Sequence, residues 1–284
     1  QQAYLWGTLC RWHYFRACTV GRYSGLATFY MTPAQNMKEP PNQRGTKEMP
    51  KSPTRETTTR RQTAITLGFW SAILASVFTI FFIVLAVGTT LVSPPKAWSG
   101  IQTYAENFNL LEMASFIPAF LLAPTVVVLM ACIHYVTPET KKVFSLIGLA
   151  FASVYAAIIP TNYYLQLFVV RLNLESGTLD GLALLAQPNF HSVFFALETL
   201  GYAFLSLATL FVSQVFSGGK LESWIRGLFI VSGAVGIFGV IVAPFDQPYL
   251  IFAGLGIWSL AFPISTILLS IFFRRAQNGS IPVG

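Results

Sequence analysis

Charge is what this sequence has least of. Of its 284 residues only 10% are Asp, Glu, Lys or Arg, well under half of the about 25% that soluble domains carry because their surfaces must hold water. An ordinary water-soluble globule is therefore excluded. Three cysteines are too few for the disulfide framework of a small secreted scaffold. Catalytic and metal-binding motifs are missing as well. There is no HExxH, no Cys pair at metal spacing, no Walker phosphate loop, no GxSxG, and no lysine deep in the last apolar run that could hold a retinal. No motif is shared between the first and second halves of the apolar region, which weakens the case for a carrier built from inverted repeats.

What is present is apolar bulk, 54% hydrophobic and 15% aromatic. The net charge of +7 is not spread along the chain. Up to residue 62 there are ten basic residues against three acidic ones, and from residue 63 onward eight against eight. The basic character thus belongs to a leader, 1–62, and not to a nucleic-acid-binding surface; its partner is at most the anionic head groups of a bilayer. Residues 1–30 show neither strand nor helix periodicity. Residues 31–62, rich in Pro, Thr, Lys and Arg, have the composition of a disordered tail. The chain starts at Gln1, and Met31, Met37 and Met49 all precede the first apolar run, so each is a candidate start codon. Cys10, His13 and Cys18 lack a fourth ligand for a metal site and read as unrelated residues. No metal site is expected, and the residues leave the identity of any cofactor open.

Crossing about 30 Å of hydrocarbon takes roughly 20 apolar residues in helical form, because lipid offers no partner to an open N–H or C=O. Six stretches of 63–284 qualify: 64–92, 111–136, 143–168, 190–216, 224–243 and 249–273. The expected fold is all-α, a six-helix transmembrane bundle. Lys and Arg set its orientation. Arg60, Arg61, Lys141, Lys142, Lys220, Arg226, Arg274 and Arg275 fall on one side and only Lys96 and Arg171 on the other. Both termini should then face the cytoplasm of an inner (plasma) membrane, with Glu106, Glu175, Asp180 and Asp246 facing out. Ser232, Gly233, Gly236, Gly239 and Ala243 give the fifth span a small-residue stripe suited to a helix contact within the bundle. Pro118, Pro124, Pro160 and Pro263 should kink their spans. Trp70, Trp98, Trp224 and Trp258 read as interfacial anchors and lipid-facing bulk rather than a cofactor cage.

Polar groups at membrane depth are costly, so each is a functional candidate. Glu112 and Ser115 open the second span from outside. Asn162 and Gln166 share a helix face near the end of the third, with Arg171 beyond. His191, Glu198 and Tyr202 share a face of the fourth at steps of seven and four, and Asp246 caps the fifth. The expected ligand-binding pocket, open to the outside, is Glu198, His191, Asn162, Gln166, Arg171, Glu112 and Tyr202. Glu198 leads because it is the one carboxylate well inside a span, where holding a charge is expensive and a proton-responsive group results; tying helices together is its bland alternative. His134 lies at the other depth from His191, which argues against a bis-histidine haem.

The stretch FALETLGYAFLSLATLFVSQVFSGGKLESWIRGLFIVSGAVGIFGVIV combines a polar-entered helix, a glycine turn and a small-residue-rich helix. In these features, within 111–275, the chain resembles a bacterial family of uncharacterised polytopic membrane proteins. The resemblance implies a six-span bundle and brings no catalytic residue. Three functions are compatible with the sequence. The first is a sensor, carrier or accessory subunit that binds a small ligand or ion in the polar pocket. The second is an integral-membrane enzyme acting on a lipid or quinone head group, with Glu198 and His191 as acid and base. The third is a structural assembly subunit.

Overall fold

A computed structural model describes residues 55–92, 94, 98–245 and 247–279, with side chains from residue 58 onward except that of Pro248. Residues 1–54, which hold most of the leader with Cys10, His13 and Cys18, lie outside the described residues, as do Lys96 and Asp246.

Among the described residues there are helices and no strands: α1 Arg55–Val92, α2 Ile101–Asn107, α3 Phe116–Val136, α4 Lys142–Leu165, α5 Arg171–Ser176, α6 Val193–Ser213, α7 Lys220–Val242 and α8 Pro248–Gln277. Six helical segments are long and apolar enough to cross a membrane, so the chain is an all-helical polytopic membrane protein. The expected spans are all present, with shifted ends. α1 starts at Arg55, so 55–62 are helical rather than part of a tail. Once an apolar helix exists, each added residue gains a backbone bond without a new nucleation cost. The third span does not stop at 168. A π-helical turn at Gln166–Val170 carries α4 into α5, and the segment ends only at Ser176. There Gly177, at φ 73, supplies the left-handed residue that ends a helix. The fourth span is shorter than expected, because Ser192 caps α6 by accepting the Phe195 N–H at 3.2 Å.

The six long helices close into a ring in chain order. α1 packs on α3 and α8, α3 on α4, α4 on α6, α6 on α7, and α7 on α8. Short connections favour antiparallel neighbours, and the alternation sorts charge to two ends. A basic end carries Arg60, Arg61, Lys141, Lys142, Lys220, Arg226, Arg274 and Arg275; an acidic end carries Glu106, Glu112, Glu175 and Asp180 along with Arg171. The outer faces are apolar too, with Leu260, Phe81 and Val84 all exposed, as expected of helices solvated by lipid tails.

Close approach in the ring depends on small residues. A Cβ on Gly233 would stand 2.8 Å from the Ser206 carbonyl oxygen, and one on Gly236 would meet the Ser206 hydroxyl, so the stripe on α7 is filled by α6. Gly148 lies 3.0 Å by the same measure from the Ala208 carbonyl oxygen, where α4 meets α6. Hydroxyls link the basic half: Ser76 to Thr266 between α1 and α8, and His134 Nδ1 to Ser145 between α3 and α4, each at 2.8 Å. Of the prolines, Pro124, Pro160 and Pro263 sit inside helices, while Pro118 falls in the first turn of α3, where an N–H has no helical partner to lose. Thr125 and Thr161, each one residue past a proline, donate to the carbonyls of Leu121 and Ala157 at 2.8 Å.

Gly239, on the same stripe, has nothing within 4 Å of where a Cβ would be. Gly233→Val is therefore expected to lower the melting temperature of the detergent-solubilised protein by the equivalent of about 1–3 kcal/mol, while Gly239→Ala leaves it unchanged. Equal melting temperatures for the two variants would contradict the α6–α7 packing described.

Candidate functional site

The polar centre of the bundle forms where α4 and α6 run side by side. On α4, Tyr155, Ile159, Asn162 and Tyr163 recur at three- and four-residue steps and are all buried, so they present one face to α6. Glu198 answers from α6. Tyr163 donates its hydroxyl to Glu198 Oε1 at 2.7 Å. Asn162 donates from Nδ2 to Glu198 Oε2 at 3.3 Å and to the Phe194 carbonyl at 3.0 Å. The hydroxyls of Tyr163 and Tyr202 lie 3.3 Å apart. The Tyr155 hydroxyl, fully buried with its ring 5.9 Å from that of Tyr202, has no hydrogen-bond partner.

Glu198 borders a cavity of about 1040 Å³ that occupies the acidic half of the ring. Its walls come from the end of α1 (Phe82–Leu91), the segment around α2, the start of α3, the first half of α6, Val235–Val240 of α7 and Ile251–Trp258 of α8. This is at the upper end of the roughly 300–1,000 Å³ typical of small-molecule sites. Aromatic rings flank the carboxylate. Tyr163 stacks on Phe116 at 5.1 Å and lies 6.1 Å from Phe194; Tyr202 meets Trp258 edge to face at 5.3 Å, and Trp258 stacks on Phe262 at 5.2 Å. Near the acidic end, burial and then the neighbouring Glu112 carboxylate raise the Tyr104 phenol above its ordinary range, so it lines the cavity as a neutral hydroxyl.

The residues expected to form the pocket thus divide. Glu198, Asn162 and Tyr202 converge. Glu112, from the short 3-10 turn Leu110–Met113, lines the same cavity. Gln166 is buried, but the π-helical turn aims its amide at the α5–α6 connection, where Nε2 donates to the Leu185 carbonyl at 2.8 Å. It holds a loop and does not line the cavity. Arg171 is not a counter-charge to Glu198. It donates from Nε to the Leu167 carbonyl at 3.0 Å and pairs through Nη1 with Glu175 at 3.7 Å, both on its own helical segment. His191 precedes the Ser192 cap, is exposed, and is not among the residues that line the cavity. It shares no helix face with Glu198, because α6 begins after it. The acid–base pair of Glu198 and His191 is therefore not assembled.

Two tryptophans correct the reading of that residue type as lipid-facing bulk. Trp70 and Trp224 are exposed, at 57% and 67%, but Trp258 is 4% exposed and lines the cavity, as does Trp98. Tyr163 and Phe116 went unmarked by polarity, yet Tyr163 is one helical turn past Ile159 on the face already picked out by Tyr155 and Asn162. Among the described residues no cluster of three His, Cys, Asp or Glu side chains is arranged to hold a metal. Comparison with protein-family models, curated proteins and solved structures finds no match, so every residue role rests on this geometry.

Tyr163→Phe leaves Glu198 Oε1 without its closest donor and is expected to cost about 1–3 kcal/mol of stability. In a thermal double-mutant cycle with Glu198→Gln the two changes should couple by about 0.5–3 kcal/mol. Strict additivity would show that the 2.7 Å contact contributes nothing.

Proposed function

We propose that this protein is a multi-pass protein of the inner (plasma) membrane, both termini cytoplasmic, that binds a small ligand or ion in the cavity and serves as a sensor, carrier or accessory subunit. The observation that carries the proposal is the cavity itself. A lipid-solvated bundle whose only task was to hold together would gain dispersion contacts by filling that volume. Here one half of the ring is closed by small-residue contacts and buried aromatic side chains, while the other encloses about 1040 Å³ with a carboxylate in its wall. A large, mostly apolar pocket with a few convergent polar groups is the usual form of a small-molecule site.

Orientation is supported by the charge at the two ends. Eight Lys and Arg residues gather at the basic end of the described helices, against Arg171 at the acidic end. Short loops rich in Lys and Arg stay on the cytoplasmic side. The cavity then opens toward the opposite face, and six crossings return the chain to the side where it started. An assembly or enzymatic role has less support, since holding a bundle together does not call for a cavity of about 1040 Å³ and the expected histidine base is not among the residues lining it.

Asp180→Cys, in the connection between α5 and α6, is expected to react with a membrane-impermeant maleimide in intact cells, and Ser217→Cys, between α6 and α7, only after lysis; the reverse pattern would invert the orientation. Binding is checked by Gly239→Leu, which fills the cavity from an uncrowded position. In melting-temperature screens of the solubilised protein against cationic, anionic and neutral organic solutes, at least one class is expected to stabilise the wild type and to lose that effect in Gly239→Leu. A stabilising solute that works equally well on both proteins binds elsewhere.

A further inference from the structure

We propose that the occupant of the cavity is an organic cation, an amine or onium group carried on an apolar body, with Glu198 as its counter-charge and the surrounding rings as its walls. This deepens the reading of the cavity as a ligand site and rests on it. Three independent features of the wall lead to this class of ligand.

The first is charge. Among the described residues lining the cavity, the only acidic or basic side chains are the carboxyl groups of Glu112 and Glu198, with no Lys, Arg or His. An anion entering would meet like charge in a medium where Coulomb interactions are strong, whereas a cation would meet opposite charge. Among the described residues Glu198 forms no ion pair, and Arg171, the one described Lys or Arg at the acidic end, pairs with Glu175. The second is unused acceptor capacity. A carboxylate offers about four acceptor positions. Tyr163 and Asn162 fill two of those on Glu198, and the residue lines the cavity. The neutral donors hold the carboxylate in place without neutralising it, as a site that must later receive a positive charge requires. The third is the wall. Eleven of the 35 lining residues are Phe, Tyr or Trp; Tyr163, which bonds the carboxylate, packs on Phe116 and Phe194, and Tyr202, whose hydroxyl meets that of Tyr163, packs on Trp258. The faces of such rings attract cations, Trp most strongly, and exclude the water that would screen Glu198.

A neutral apolar ligand would fit the volume but leave both carboxylates without a role in binding. A free metal ion would lack ligands, since no three-residue donor cluster is present among the described residues. An apolar cation accounts for the volume, the charge and the aromatic content together.

The test uses the full chain in lipid nanodiscs at pH 8 and three probes of similar shape and different charge: tetraphenylphosphonium, triphenylphosphine oxide and tetraphenylborate. Equilibrium dialysis against empty nanodiscs removes partitioning into lipid. The expected result is saturable binding of the phosphonium at least tenfold tighter than that of the neutral and anionic probes, competed by other quaternary cations and accompanied by a change in tryptophan fluorescence. Glu198→Gln should weaken phosphonium binding tenfold or more and leave the neutral probe unaffected. Glu112→Gln, nearer the acidic end, should have a smaller effect in the same direction. The charge series on the wild type needs no variant to fold. Equal binding of the three probes, each abolished by Gly239→Leu, would overturn the cation assignment and leave the cavity as a ligand site. Tighter binding of tetraphenylborate, or phosphonium binding indifferent to Glu198→Gln in a variant that melts like the wild type, would also overturn it. Failure of all three probes on the wild type would reject the assignment as well, while the wider solute screen judges the cavity separately.

Discussion

Exclusion of water from the bundle is the constraint on which the rest depends. In lipid every N–H, C=O and hydroxyl must find its partner inside the chain, and the described residues obey this almost throughout. Helical hydroxyls return to carbonyls three or four residues back, as Thr79 does to Ala75 at 2.7 Å and Thr161 to Ala157 at 2.8 Å. Side chains that reach farther do so at helix crossings: Ser76 to Thr266, His134 to Ser145, Asn162 to Phe194. Among buried side-chain polar atoms the exceptions are the Tyr155 hydroxyl, the Gln166 side-chain amide oxygen Oε1 and the Ser232 hydroxyl, each without a hydrogen-bond partner. Two of these three lie on the segment that carries Asn162 and Tyr163.

The same constraint separates the two halves of the ring. Toward the basic end, glycine and serine let helices approach until a Cβ would collide, and the interior is filled by Phe229, Phe273, Leu205 and Val212. Toward the acidic end the stripe on α7 continues to Gly239 with nothing packed against it, and the space is the cavity. One small-residue motif thus makes a tight contact at Gly233 and an open wall at Gly239. What distinguishes the two positions is the partner: Leu210 and Ser206 of α6 reach the first and not the second. Glu198 stands where these regimes meet, held by Tyr163 and Asn162 and lining the cavity.

Several parts of the site can be read directly from spacing. Glu198 and Tyr202 are four apart on one helix, and Asn162 lies on a face marked by Tyr155 and Ile159; a helix of known extent carries such positions to one side without further information. His191 fails the same reasoning for a specific cause. Its step of seven to Glu198 is meaningful only if the helix already runs through it, and the helix starts at Val193, where the Ser192 cap and the Gln166 bond to the Leu185 carbonyl hold the preceding loop. Arg171 is misjudged because Glu175, four residues on, is a nearer carboxylate than any on another helix. Trp98 and Trp258 have the same composition signal as Trp70 and Trp224, and only position in the ring separates them.

By itself the sequence determines the solvent, the number of crossings and the segregation of charge between the two ends, because these follow from local quantities: apolar length against bilayer thickness, and Lys and Arg in short loops. Closure of the ring, the division between a packed half and a hollow half, and the meeting of Tyr163 and Asn162 with Glu198 are decided only by tertiary structure. The reason is the lipid. In water an amphipathic stripe announces which side of a helix faces inward, but these helices are apolar on all sides, so the rotation of each about its axis is set by where glycines and serines admit a neighbour.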